Sequence, residues 1–182
     1  DIAIQGVIDG MRYTRQGQAC TAGSRVYIQE KIYDKVINGA VEKLSKLKMG
    51  NALDEGSDIG AIISEEQLKR TLHYMDIAKQ TSSAKVVHGG NQPTGGDYKN
   101  GFFYEPTLMS GVPVDSPVCQ EEIFGPVACA IPFKTFEEVM QSANDTPFGL
   151  SAVLWTQNLS RALEFVEEIE AGFVQVNQCV AP

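Results

Sequence analysis

The second half of the chain alternates short apolar runs with amphipathic helical patterns, and this alternation limits the possible folds more than any other feature. Val127–Phe133, Leu150–Thr156 and Phe173–Asn177 read as strands. Between them, Thr135 with Glu138 forms a capping box for a helix to about Ala143, and a second helix runs from about Leu159 to Ala171 before Gly172 ends it. Strands joined through helices require crossover connections, which produce parallel pairs buried on both faces. The expected class is α/β: a largely parallel sheet with helices on both faces.

The first half fits the same plan. Ile4, Val7, Ile8 and Met11 recur at helical spacing within residues 2–14, although Gly6 and Gly10 weaken the pattern. Arg25–Gln29 reads as a strand, and residues 30–48 place Ile32, Val36, Ala40, Val41, Leu44 and Leu47 on one helical face. Ser64 and Gln67 suggest a capping box opening a helix that carries Leu68, Leu72, Met75 and Ala78. Ala84–Val87 is a short strand, the glycine-rich stretch from Gly89 to Gly101 is a loop or hairpin, and Tyr104–Met109 is a strand with an awkward Pro106.

With 182 residues, 43% of them hydrophobic, the chain suits one domain over 1–182 whose core needs neither disulfide nor metal. The formal charge of −8 argues against nucleic acid and anionic lipid as partners, and no apolar run approaches the ~18 residues of a bilayer span. Cys20, Cys119, Cys129 and Cys179 have neither a secretory leader nor zinc-like spacing around them, so a reduced cytoplasmic protein is expected. The chain opens at Asp1 in a helical pattern and stops at Pro182 just after a strand, and both ends read as cuts through a longer polypeptide.

The best candidate for chemistry is Gly17-Gln-Ala-Cys-Thr-Ala-Gly-Ser24, a loop of small residues between a helix and a strand. Its lack of bulk leaves room for a substrate carbon to reach the Cys20 sulfur, and it exposes backbone N–H groups that can stabilise a thiolate or an oxyanion. A free thiol ionises only to a few per cent near pH 7, so its surroundings decide whether it is a nucleophile. On local chemistry alone, a buried structural cysteine is the competing reading.

Tyr13, followed after three residues by Gly17–Ser24, resembles the active-site cysteine signature of the aldehyde dehydrogenase superfamily. About a hundred residues downstream, Gln120-Glu-Glu-Ile-Phe-Gly-Pro-Val127 is similar to that family's EEIFGPV segment. Weaker matches follow in colinear order: Glu105-Pro106-Thr107, Asn144 with Phe148-Gly-Leu-Ser-Ala152, and Ala171-Gly-Phe-Val-Gln-Val-Asn177. The resemblance implies the catalytic domain of an enzyme that oxidises a small-molecule aldehyde with NAD or NADP. Cys20 matches the nucleophile, which forms a thiohemiacetal and then a thioester, and its backbone N–H matches one arm of the oxyanion hole. Glu122 matches the carboxylate that binds the nicotinamide-ribose hydroxyls, a role suited to a bidentate acceptor. Phe124 matches the aromatic that packs against that part of the cofactor. From the residues alone, Glu122 reads as a solvated or helix-capping carboxylate, and core packing is the competing reading of Phe124.

The resemblance also implies that the dinucleotide-binding domain, the general-base glutamate and a side-chain oxyanion asparagine precede this chain. A closing segment and the strand used for homo-oligomerisation would follow it. An isolated, inert domain fragment and a coenzyme A-acylating enzyme are the alternatives, with a cofactor-free thiol esterase as a third. Arg15 stands where many relatives have asparagine. Cys129 reads as core, Cys179 as a candidate neighbour of the substrate pocket in the complete protein, and His73 and His88 as surface or satisfied histidines.

Overall fold

The structure, a computed structural model, describes residues 2–179. Its strands are β1 (Arg25–Gln29), β2 (Lys85–His88), β3 (Thr107–Ser110), β4 (Val127–Phe133), β5 (Ser151–Leu154) and β6 (Phe173–Val176). Its α-helices are α1 (Ile2–Gly10), α2 (Tyr33–Leu44), α3 (Glu65–Gln80), α4 (Pro117–Gln120), α5 (Phe136–Asn144) and α6 (Leu159–Glu168).

The main sheet has the order β1-β4-β3-β2. Arg25 pairs with Cys129 and Thr107 with Val127, both in parallel register, and β2 closes the edge antiparallel to β3. Strand alternation sorts β4 between two cores. Ala128 and Ala130 face α1 and α2, where Ile4, Ile8, Val36, Ala40 and Leu44 are buried. Val127, Cys129 and Ile131 face α3 and α4, with Leu68, Met75, Ala78 and Val118. Burying a side chain such as Leu44 or Met75 contributes about 1.5–3 kcal/mol, so the two apolar faces account for the covered sheet. The α/β expectation with helices on both faces holds.

The strands after α5 depart from the expected single sheet. β5 and β6 pair with each other in parallel, Ser151 opposite Phe173, as a separate two-stranded sheet. Side chains tie this unit to the rest. The Trp155 indole lies so close to Gly6 of α1 that a Cβ there would overlap the ring. Asn144 donates from Nδ2 to Glu168 O (2.9 Å) and accepts at Oδ1 from Glu170 N (3.0 Å), which joins the ends of α5 and α6. Arg25 donates to Ser142 O (3.2 Å) and Ala143 O (3.1 Å), a cation on carbonyls that the last turn of α5 leaves unpaired.

Element boundaries moved for local reasons. The strand expected at Tyr104–Met109 begins at Thr107, because Pro106 has no N–H to give a ladder. The helix expected over 30–48 starts as a 3₁₀ turn at Glu30–Ile32 and is α-helical only over Tyr33–Leu44, which leaves Ile32 exposed. The Thr135–Glu138 capping box is present in both directions. At α3 only half of the expected box forms: Ser64 Oγ accepts from Gln67 N, but the Gln67 side chain reaches elsewhere.

Candidate active site

Helix α1 ends in a tight sequence of turns. The 3₁₀ turn Tyr13–Arg15 lies between Arg12 (φ 58°) and Gln16 (φ 57°), both left-handed, and Gly17 follows at φ 65°. Tyr13 is fully buried, and its hydroxyl donates to Thr107 O (2.8 Å), which fastens the turn to β3. Burial also pushes the Tyr13 phenol far above its ordinary range. Gly17 has two constraints: its left-handed backbone, and a position where a Cβ would strike the carbonyl of Gly125.

Beyond Gly17 the chain forms a turn closed by Ala22 N donating to Ala19 O (3.0 Å), with Cys20 and Thr21 at its two central positions. Gly23 N then bonds Gly10 O (2.9 Å) and Ser24 O accepts from Cys129 N (2.8 Å), so the loop is clamped just before β1. Cys20 is exposed at the tip. Neither its N–H nor that of Thr21 donates a hydrogen bond among the described residues. Two unspent donors beside an exposed sulfur form a site suited to receiving negative charge.

The second motif is held from the opposite side by α3. Gln67 Nε2 donates to both Ile123 O (2.8 Å) and Phe124 O (2.9 Å), and Arg70 Nε donates to Glu122 O (3.0 Å). These bonds support a backbone that turns left-handed at Phe124 (φ 57°). Gly125 completes the contact, since a Cβ there would meet Thr71 Oγ1 of α3. The two adjacent glutamates behave differently. Glu121 accepts from the Tyr74 hydroxyl (2.6 Å), whereas the exposed Glu122 carboxylate has no hydrogen-bond partner among the described residues.

The two motifs share one cleft of about 560 Å³, lined by Thr14, Arg15, Gln16 and Gln18 from the first and Phe124 from the second. Gln18 Oε1 accepts from Ile63 N (3.0 Å) and ties the cleft's two walls. Cys20 and Glu122 are not among its lining residues. A larger depression of about 1030 Å³, lined by His88, Tyr98 and Glu105 among others, contains none of the expected site residues.

The remaining candidates separate by environment. Cys129 is buried in β4 as expected and shares a side-chain hydrogen bond with the buried Cys119; that bond and burial push the Cys129 thiol up. Cys179 lies near Asp9 and Arg12 of the segment leading to the cysteine loop, and burial followed by the Asp9 charge raises its thiol. His73 is exposed on α3, edge-on to Tyr74, and burial lowers His88. The anchors that sequence reasoning missed are Gln67 and Arg70. Gln67 was visible only as a capping residue, and its contact is with a segment more than fifty residues away.

Among the described residues no group of three or more His, Cys, Asp or Glu is placed to hold a metal, and no helix is long and apolar enough to cross a membrane. The sequence matches the aldehyde dehydrogenase family over residues 1–182. It is 41% identical over 167 residues to a D-glyceraldehyde dehydrogenase (NADP(+)) of Picrophilus torridus, covering 91% of this chain and 33% of that protein. It is 37% identical over 177 residues to an alpha-ketoglutaric semialdehyde dehydrogenase of Bacillus subtilis, covering 97% and 36%. The fold superposes on a betaine aldehyde dehydrogenase of Staphylococcus aureus, solved with NAD+, at a TM-score of 0.94 and 32% identity over 100% of this chain and 35% of that one. The chain thus spans about a third of the length of these relatives. A family match over its whole length, carried on a fold that brings the two motifs against each other, establishes that this chain belongs to the aldehyde dehydrogenase family.

Proposed function

We propose that the chain carries the nucleophile and part of the cofactor site of an NAD(P)+-dependent aldehyde dehydrogenase, with Cys20 as the nucleophile. The observation that carries this reading is the turn Ala19–Ala22, which presents an exposed sulfur together with two unspent N–H groups.

The Cys20 thiolate attacks the carbonyl carbon, an S–C bond forms, and the carbonyl π electrons move onto oxygen. The N–H groups of Cys20 and Thr21 receive that oxyanion; removing one such donor typically costs about 10²–10³ in turnover. Bound NAD(P)+ supplies the hydride acceptor. Loss of the C–H bond with its electron pair leaves a thioester on Cys20, and water cleaves it to acid and free thiol.

The residues present fit the cofactor. Glu122 offers an exposed carboxylate with no hydrogen-bond partner among the described residues, the acceptor that a ribose diol requires, while Gln67 and Arg70 fix the backbone that carries it. Phe124 presents an aromatic surface in the shared cleft.

The test uses the full-length polypeptide that carries this chain, assayed for NADH or NADPH formation with simple aldehydes. Cys20→Ala should lose at least about 10³-fold in turnover, and iodoacetamide should alkylate Cys20 before the buried Cys119 and Cys129. Undiminished turnover in Cys20→Ala sinks the assignment. The isolated 182 residues, a third of the relatives' length, should form no NADH and show no thermal shift with millimolar NAD+.

A further inference from the structure

Arg15 lies within the cysteine motif, between Tyr13 and Gly17. Arg15 lines the cleft of about 560 Å³ together with Phe124, and among the described residues its guanidinium makes no hydrogen bond or ion pair. Its backbone is fixed: Arg15 N donates to Arg12 O (2.8 Å) and Arg15 O accepts from Gln18 N (2.9 Å). The opposite wall is fixed too, through Gln18 and Ile63 on one side and through Gln67 on Phe124 on the other. The lining also contains the Asp58 carboxylate, whose Oδ2 accepts from Lys48 N (2.9 Å) and not from Arg15. A preformed cleft thus combines an aromatic wall with a planar cation whose five donors are unspent, which suits an anionic group with two oxygens in a plane.

We propose that Arg15 is a ligand-binding residue, its guanidinium receiving a carboxylate or phosphate of the molecule that occupies the cleft against Phe124. This rests on the reading that Phe124 contacts the cofactor. Two sources carry such a group: the phosphates of the dinucleotide, or an acid group at the far end of the aldehyde. The positive charge of Arg15 is then a determinant of which ligand is held.

The experiment uses the full-length polypeptide in a Cys20→Ala background, so that binding is read without turnover. Calorimetry gives Kd for NAD+, for butanal and for 4-oxobutanoate, with Arg15, Arg15→Gln and Arg15→Lys. If the dinucleotide is the source, Arg15→Gln weakens NAD+ by about tenfold and leaves the ratio of the two aldehydes unchanged. If the aldehyde is the source, the preference for 4-oxobutanoate over butanal falls by about tenfold and NAD+ binding is unchanged. In either case Arg15→Lys should retain part of the affinity. All three Kd values unchanged in Arg15→Gln, with the variant folded by circular dichroism, overturns the proposal. Failure of the parent reading looks different: NAD+ then does not bind even with Arg15 intact, and the two aldehydes alone decide the role of Arg15.

Discussion

Gly17 and Gly125 meet backbone to backbone: a Cβ on Gly17 would overlap the Gly125 carbonyl oxygen. One belongs to the cysteine motif and the other to the EEIFGPV-like motif, about a hundred residues apart in sequence. Behind Gly125, Thr71 of α3 leaves no more space. The two motifs therefore form one packed unit, and both glycines are there because nothing larger fits.

Gly17→Ala tests that unit. The substitution adds a methyl to a left-handed residue (φ 65°) and drives it into a carbonyl with buried neighbours. Backbone strain of this kind costs about 1–3 kcal/mol, and the steric conflict adds to it. We expect urea unfolding to report a loss of at least about 2 kcal/mol. A midpoint within error of the parent protein would show that the glycine contact is slack.

Gln67→Ala separates positioning from capping. The variant keeps the Gln67 backbone N–H on Ser64 but leaves the carbonyls of Ile123 and Phe124 without their donor. Losing partners for two part-buried carbonyls costs about 1–3 kcal/mol. In the full-length protein, dinucleotide affinity should fall several-fold with little change in aldehyde KM, because Phe124 loses its support and the cysteine loop does not. Equal losses in both would mean that Gln67 stabilises the domain as a whole.

Two buried tyrosines should respond in opposite ways to removal of the hydroxyl. Tyr13 donates to Thr107 O, so Tyr13→Phe should destabilise by about 0.5–1.5 kcal/mol. Tyr104, only 2% exposed, has a hydroxyl with no hydrogen-bond partner among the described residues. Tyr104→Phe should therefore be neutral or stabilising by up to about 1 kcal/mol. Thermal unfolding of both variants decides it; a destabilised Tyr104→Phe would point to a bound water serving that hydroxyl.

The limits of the sequence are visible in the same residues. Periodicity located the strand Arg25–Gln29 and the box at Thr135–Glu138, because both are set by neighbours within a few positions. It did not reveal that β5 and β6 form their own sheet, since strand order depends on distant pairings that leave no local mark. The site shows the same division. Cys20 and Phe124 stood out in their motifs, but the use of Gln67 to hold Phe124 depends on a contact across the fold. Asn144 and Asn177 were visible as motif residues, and the structure gives them backbone-bridging work: Asn177 Oδ1 accepts from Thr156 N (2.8 Å) and Nδ2 donates to Thr156 O (2.7 Å).

His88 gives the fold a predictable acid sensitivity. Burial at the end of β2 lowers its pKa below the usual value near 6.5, and the Glu105 carboxylate only partly opposes this. Protonation is therefore easier in the unfolded chain than in the folded one. Well above pH 6.5 the ring is neutral in both states and contributes no pH dependence. As pH falls from there toward the folded pKa, the unfolded state takes up the extra proton and stability declines; below the folded pKa the loss is complete. His88→Gln removes the titrating group, so its stability should decline less between pH 7.5 and 5.5 than that of the parent in matched urea titrations. Parallel pH profiles for the two proteins would mean that His88 is solvated well enough to carry its charge at no cost.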